Sequence, residues 1–339
     1  MNLKELEGIA QQMVADHRGL LAADESTGTI EKRFKGIGLT STEETRRAYR
    51  EMLFTTPGAE KFISGVIMYD ETIRQKTKAG VPFAEFLAKL GILPGIKVDK
   101  GAKPLANSPG ETITEGLDGL RERLQEYHKL GARFAKWRAV IDIGAAIPTG
   151  YCIRANAQAL ARYAALCQEA GIVPIVEPEV LMDGAHTIER CADVTMEVLK
   201  VVFDELYTHG IALEGMILKP NMVISGMQCP QQAGVGQVAR ETLRVLKQSV
   251  PAAVPGIMFL SGGQSAELAT AHLNAMNALG QAPWKLSFSY GRALQAPSLE
   301  AWKGQAANLK AGQNAFFHRA QCNSAACTGN YTARMEKGV

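Results

Sequence analysis

The chain has 339 residues, 46% hydrophobic and 21% charged, with 37 Lys and Arg against 34 Asp and Glu and a formal net charge of +3. Such a composition supplies a large core, and so small a positive excess argues against a dedicated nucleic-acid binder, which would carry a basic domain or stripe. No apolar run approaches the roughly 20 residues that span a bilayer, and the charged start Met1-Asn2-Leu3-Lys4-Glu5-Leu6-Glu7 lacks a signal peptide's apolar stretch, so no membrane partner and a cytoplasmic location are expected.

In chain order, short apolar runs alternate with helical patterns. The runs are Leu20–Ala23, Phe62–Tyr69, Ile96–Val98, Phe134–Trp137, Ile172–Val176, Met216–Leu218, Ile257–Leu260 and Leu286–Phe288. They suit strands buried on both faces. Between them, Leu117, Leu120, Leu124, Tyr127 and Leu130 step at three and four residues before Gly131. Leu160, Tyr163, Ala164 and Cys167 do so before Gly171, and Val198, Val202 and Leu206 before Gly210. These are amphipathic helices ending at glycine caps. Asn2 with Glu5, and Thr40 with Glu43, have capping-box spacing.

Asp24, Asp70, Asp99, Arg138, Glu177, Lys219, Ser261 and Tyr290 close the eight runs at intervals of 29–46 residues. Intervals averaging about 38 residues are the size of βα units, and eight such units predict a single (β/α)8 barrel of the TIM type. An N-terminal helix, a barrel core over about residues 19–300 and a C-terminal helix and tail over about 301–339 complete the expected single domain. The alternative, an open doubly wound sheet, usually carries a G-x-G-x-x-G first turn. Here that turn reads Ala23-Asp24-Glu25-Ser26-Thr27-Gly28, and Gly234-Val235-Gly236 follows no apolar run and reads as a loop.

Ionisable residues recur at the C-terminal ends of these runs, where barrel enzymes build their sites. A single such charge reads equally as a solvated rim residue or a structural ion pair; five strands ending this way, with both signs, read as a site. Side chains two apart on a strand share a face, which groups Lys136 with Arg138, Glu177 with Glu179, and Lys97 with Asp99. Lysines among carboxylates suit Schiff-base chemistry on a ketone. The reacting lysine must be neutral, and a neighbouring ammonium and a dry pocket both favour that form. Lys136 or Lys97 is a candidate neighbour for Lys219, and Glu177, Glu179 and Asp24 are candidate proton carriers.

Two segments read as anion sites: Ser261-Gly262-Gly263-Gln264-Ser265 after the seventh run, and Gly291-Arg292 after the eighth. Glycines let backbone N–H groups approach an oxyanion, and arginine adds a planar fork. No metal is expected. The six histidines, His17, His128, His186, His209, His272 and His318, show no H-x-H or H-E-x-x-H spacing. The cysteines Cys152, Cys167, Cys191, Cys229, Cys322 and Cys327 form no C-x-x-C pair and read as reduced thiols. Cys322 and Cys327 show no histidine partner, which argues against zinc there.

At these residues the sequence closely resembles the class I fructose-1,6-bisphosphate aldolases. The segments are Leu21-Ala22-Ala23-Asp24-Glu25-Ser26-Thr27-Gly28, Gly95-Ile96-Lys97-Val98-Asp99-Lys100-Gly101, Ala135-Lys136-Trp137-Arg138, Val173-Pro174-Ile175-Val176-Glu177-Pro178-Glu179, Leu218-Lys219-Pro220-Asn221-Met222, Leu260-Ser261-Gly262-Gly263-Gln264-Ser265 and Phe288-Ser289-Tyr290-Gly291-Arg292-Ala293-Leu294-Gln295. They keep the family's order from about residue 15 to about residue 332.

The resemblance implies a (β/α)8 barrel, usually a homotetramer, acting in glycolysis and gluconeogenesis without metal or organic cofactor. It would cleave fructose 1,6-bisphosphate reversibly to dihydroxyacetone phosphate and glyceraldehyde 3-phosphate. It implies Lys219 as Schiff-base nucleophile, Glu177 as acid/base for the carbinolamine, and Asp24 beside the C4 hydroxyl. Lys136 would hold the charge pattern, and Glu179 would position the lysines. It implies a C1-phosphate site at Ser261, Gly262, Gly291 and Arg292, with Gly263 and Ser289 in the same segments. Ser26, Thr29, Lys97 and Arg138 match the region around the C6 phosphate, with Lys32 and Arg33 on the helix beyond.

One feature departs from the family. Its animal members end in a tyrosine on a mobile tail that helps protonate the enamine, whereas Tyr331 here lies eight residues before the end. Enamine protonation is therefore expected to be slower or to use another group or water; a short bacterial-type tail and a truncated chain both fit. The enzymatic rival is another Schiff-base barrel, a transaldolase or keto-acid aldolase, with one terminal phosphate or none. The non-enzymatic rival is a scaffold for protein partners such as cytoskeletal filaments.

Overall fold

The computed structural model describes residues 2–280 and 282–337. Its strands are β1 (Gly19–Ala23), β2 (Ile63–Met68), β3 (Leu93–Lys97), β4 (Ala102–Pro104), β5 (Thr112–Thr114), β6 (Phe134–Ile141), β7 (Val173–Val180), β8 (Ile217–Leu218), β9 (Gly256–Phe259) and β10 (Lys285–Tyr290). Eight of them close into a parallel barrel in the order β1-β2-β3-β6-β7-β8-β9-β10. β4 and β5 pair antiparallel outside it.

The helices are α1 (Leu3–Met13), α2 (Thr27–Lys35), α3 (Glu43–Phe54), α4 (Asp70–Arg74), α5 (Phe83–Lys89), α6 (Leu120–Lys129), α7 (Gly150–Glu169), α8 (Ile188–Thr208), α9 (Val235–Ser249), α10 (Ala266–Ala278), α11 (Arg292–Trp302) and α12 (Leu309–Ala326). Alternation along each strand divides its side chains between two packings. Ala135 and Trp137 of β6, Val176 of β7 and Phe288 of β10 face outward into the core shared with the helices. Trp137 meets Tyr163 of α7 with ring centres 5.6 Å apart.

The inward face changes character from one end to the other. Leu20, Leu93, Phe134, Val173, Ile175, Ile217 and Met258 fill the lower barrel, and Leu6, Ile9, Ala10 and Met13 of α1 pack into the same cluster and close that end. The same faces then turn ionic: Leu20-Ala22-Asp24, Phe134-Lys136-Arg138, Ile175-Glu177-Glu179 and Ile217-Lys219 each step by two. Phe134 fits inside only because β3 has no side chain opposite it. A Cβ on Gly95 would lie 2.2 Å from its ring, and one on Gly65 would lie 2.9 Å away.

Several expectations are corrected. β3 starts at Leu93, before the run noted at Ile96; Pro94 keeps its place in the strand through its carbonyl, which accepts from Arg133 N–H at 2.9 Å. β6 and β7 run on to Ile141 and Val180, past the inward charges that broke their apolar pattern. α6 starts at Leu120, leaving Leu117 packed beside it. Asn2 makes no side-chain cap of the α1 backbone. α3 is capped reciprocally by Thr42 and Thr45, not by Thr40 and Glu43. Gly234 is the N-cap of α9, so Val235 and Gly236 belong to its first turn and not to a loop.

Gly95→Ala should destabilise the protein by about 1–3 kcal/mol or more, because the new methyl overpacks against Phe134. Urea unfolding measures this, and Phe134→Leu in the same chain should recover part of the loss.

Candidate active site

Above the ionic layer opens a cavity of about 960 Å³. Lys219, Glu177, Asp24, Lys136 and Glu179 line it, as do the expected phosphate-site residues other than Lys32, which stands exposed on α2. Its floor is the C-terminal ends of β1, β6, β7 and β8. Pro220 limits β8 to Ile217–Leu218, yet Lys219 N–H still donates to Val176 O at 2.9 Å, so the lysine stem stays in the sheet's register.

Glu177 stands between two buried lysines. Its Oε1 lies 3.3 Å from Lys219 Nζ and its Oε2 3.5 Å from Lys136 Nζ. Lys136 Nζ also lies 2.7 Å from Asp24 Oδ2. The three side chains of Lys136, Glu177 and Lys219 are nearly closed off from solvent. Burial alone would raise the Asp24 carboxyl, but the Lys136 and Lys219 charges, with Lys97 behind them, overcome it and hold the group well below the usual carboxylate range. Burial likewise pulls the Lys136 ammonium down, while Asp24, Glu177 and Asp99 push it further up, so the net shift is upward and Lys136 stays charged. Lys136 is thus the ammonium that shares a carboxylate with Lys219. Lys97 is engaged elsewhere, 2.6 Å from Asp99 Oδ1.

Asp99 also accepts from the backbone N–H of Arg138 at 3.3 Å and of Gly101 at 3.1 Å, which ties the ends of β3 and β6 together. Arg138 is held in turn by Glu179. Cations at this rim are therefore positioned by carboxylates before any ligand arrives.

Helices α2 and α11 begin at the cavity, and the loop before α10 lines it; the start of α10 itself is capped by Ser265 Oγ, which accepts from Leu268 N–H at 3.1 Å. α2 starts at Ser26, whose hydroxyl meets Thr29 Oγ1 at 3.1 Å and makes no side-chain cap. α10 follows Ser261-Gly262-Gly263, whose glycines take φ of 44° and 74°, a conformation that favours glycine. α11 begins at Gly291-Arg292, again without a side-chain cap. Uncapped helix starts present free N–H groups and the positive end of the helix dipole, a ready site for anions. Between these starts, Ser289 Oγ is buried without a hydrogen-bond partner.

Sequence reasoning missed Glu25. It is buried, and it holds Arg33 and Arg50 together while Gln295 Nε2 donates to it at 2.8 Å. Its partners come from α2, α3 and α11, and only the docking of these helices brings them together. Arg33 Nη2 would lie 3.7 Å from a Cβ on Gly291, which puts this guanidinium beside the start of α11. Also missed was the rim network in which Arg74 bridges Asp70, at 2.9 Å, and Glu126, at 2.6 Å. Tyr331 does not line the cavity: its hydroxyl donates to Glu336 at 2.7 Å. Cys322, expected to lack a histidine, has His318 Nε2 at 3.6 Å.

Comparison with known proteins supports one family. The family model described as fructose-bisphosphate aldolase class-I matches residues 5–339. A Xanthomonas campestris protein named probable fructose-bisphosphate aldolase class 1 is 59% identical over 98% of this chain and 99% of its own length. A protein of Arabidopsis thaliana named fructose-bisphosphate aldolase 4, cytosolic, is 53% identical over 95% of this chain and 82% of its own. A solved structure of the Plasmodium falciparum fructose-bisphosphate aldolase, in complex with TRAP and a small-molecule inhibitor, superposes with a TM-score of 0.96 at 51% identity, covering 97% of this chain and 96% of that one. The chain belongs to the class I fructose-bisphosphate aldolase family.

Proposed function

We propose that Lys219 is the amine through which this aldehyde-lyase cleaves fructose 1,6-bisphosphate reversibly into dihydroxyacetone phosphate and glyceraldehyde 3-phosphate. The observation that carries the assignment is Glu177, whose carboxylate spans Lys219 and Lys136 at the floor of the cavity.

The Lys219 amine adds to the C2 carbonyl, and the C2 oxygen takes a proton. The carbinolamine then loses water to leave a protonated imine. Glu177, 3.3 Å from Nζ, is placed for these transfers. The imine draws in the C3–C4 bonding electrons while a carboxylate takes the C4 hydroxyl proton, releasing glyceraldehyde 3-phosphate. Asp24 is the carboxylate for that step, ionised throughout the neutral range by the lysines around it. Protonation of the enamine and hydrolysis of the imine release dihydroxyacetone phosphate and restore Lys219. Tyr331 is occupied by Glu336, so another group or water serves the enamine.

The two phosphates fit opposite ends of the cavity. Ser261, Gly262, Gly263, Ser289, Gly291 and Arg292 take the C1 phosphate, with Arg33 joining them. Ser26, Thr29, Lys97 and Arg138 take the C6 phosphate. Binding both ends orients the C3–C4 bond over Lys219, using interactions remote from the reacting atoms. No metal or organic cofactor enters these steps. A homotetramer and a cytosolic setting, the latter supported by the Arabidopsis relative and by cysteines that are free among the described residues, belong to the same reading.

Lys219→Arg should lower the cleavage rate by about 10⁴-fold or more, since a guanidinium cannot form the imine. A wild-type rate would remove the assignment, and EDTA should leave the wild-type rate unchanged.

The Asp24–Lys136 pair also makes stability depend on pH. The Asp24 carboxyl is depressed in the fold, so its contribution is complete above the unfolded value of about 3.9 and is lost as pH falls through the folded value. Lys136 is raised, so its contribution is complete below about 10.4 and is lost as pH rises through the folded value. Asp24→Asn, which leaves a buried ammonium short of a partner, should cost about 3 kcal/mol at pH 7. In denaturant unfolding the difference between variant and wild type should hold above about pH 4 and shrink only as pH falls further toward the folded Asp24 value.

A further inference from the structure

We infer that His318, Cys322 and Glu336 form a site for a zinc-class divalent cation that ties the C-terminal residues to α12. None of the three lines the catalytic cavity. His318 and Cys322 stand one turn apart on α12 and share a face. Glu336 comes from the short helical turn Ala333–Lys337 that follows.

The spacing is that of ligands. Cys322 Sγ and His318 Nε2 lie 3.6 Å apart, and one donor atom from each of the three residues lies within 4.8 Å of the others. A tetrahedral ion bonded to sulfur at about 2.3 Å and to nitrogen at about 2.0–2.1 Å holds those two atoms about 3.6 Å apart. Glu336 Oε2 lies 3.9 Å from His318 Nε2, about half an ångström beyond the nitrogen–oxygen separation around such an ion.

The carboxylate is already oriented by outer partners. Arg319 holds one of its oxygens, and Tyr331 OH donates to the other at 2.7 Å. Arg319 is itself fixed to α10 through Thr270 Oγ1 at 2.7 Å and Ala266 O at 3.2 Å. Partners of this kind fix the aim of metal ligands.

One sulfur, one nitrogen and one oxygen donor select zinc or cobalt over magnesium or calcium. A water completes the fourth position.

The test is a Co²⁺ titration of the untagged full-length protein after dialysis against chelator. One equivalent should produce a thiolate-to-cobalt charge-transfer band in the near ultraviolet. Cys322→Ser should abolish it, His318→Ala should weaken binding at least tenfold, and Cys327→Ser should leave it intact. Circular dichroism checks folding, and His318→Ala, at a half-buried position, decides the matter if Cys322→Ser does not fold. Zn²⁺ should also slow carboxypeptidase digestion of the C-terminus. Absence of the band in wild type, its persistence in Cys322→Ser, an unchanged cobalt affinity in His318→Ala, or digestion unchanged by Zn²⁺ would overturn the proposal.

Discussion

The carboxylate of Glu177 between two buried lysine side chains is the constraint on which the site depends. Charges removed from water are costly unless their partners are close and correctly aimed. Here the cost is offset inside one cluster, in which Asp24 and Glu177 face Lys136 and Lys219. The cluster holds its geometry because the same strands that carry it are packed below by Phe134, Ile175, Ile217 and α1. Gly65 and Gly95 matter to chemistry for this reason. They admit the Phe134 ring that supports the layer on which Lys136 stands.

Around this cluster the barrel separates two electrostatic tasks. The floor carries paired charge for proton transfer, while the rim carries cations held in readiness by carboxylates, as in Lys97 with Asp99, Arg138 with Glu179 and Arg33 with Glu25. In each pair a buried carboxylate keeps the cation from reorganising when an anion arrives. The uncapped starts of α2 and α11 add donors that cannot be titrated away.

Much of this was legible in the chain because periodicity and strand ends follow from backbone geometry. The eight apolar runs were visible, and the polar residues closing seven of them line the cavity; Tyr290, which closes the eighth, packs outward into the core. Boundaries failed where an inward charge interrupted an apolar pattern, as in β6 and β7, and where Pro94-Gly95 looked like a break. The antiparallel β4–β5 pair has no apolar run, so nothing marked it. Glu25 was hidden because its partners come from α2, α3 and α11, far apart in sequence. His318 and Cys322 have a helical spacing that could have been read, whereas Glu336 becomes their neighbour only through the fold of the C-terminal turn.

The central claim is that Lys219, beside Glu177, is the amine that forms a covalent imine with a ketose. Borohydride reduction in the presence of dihydroxyacetone phosphate, followed by peptide mass analysis, tests it most directly. The account predicts a stable adduct on the peptide carrying Lys219, absent when borohydride or the ketone is omitted. No adduct, or an adduct confined to Lys136 or Lys97, would contradict it.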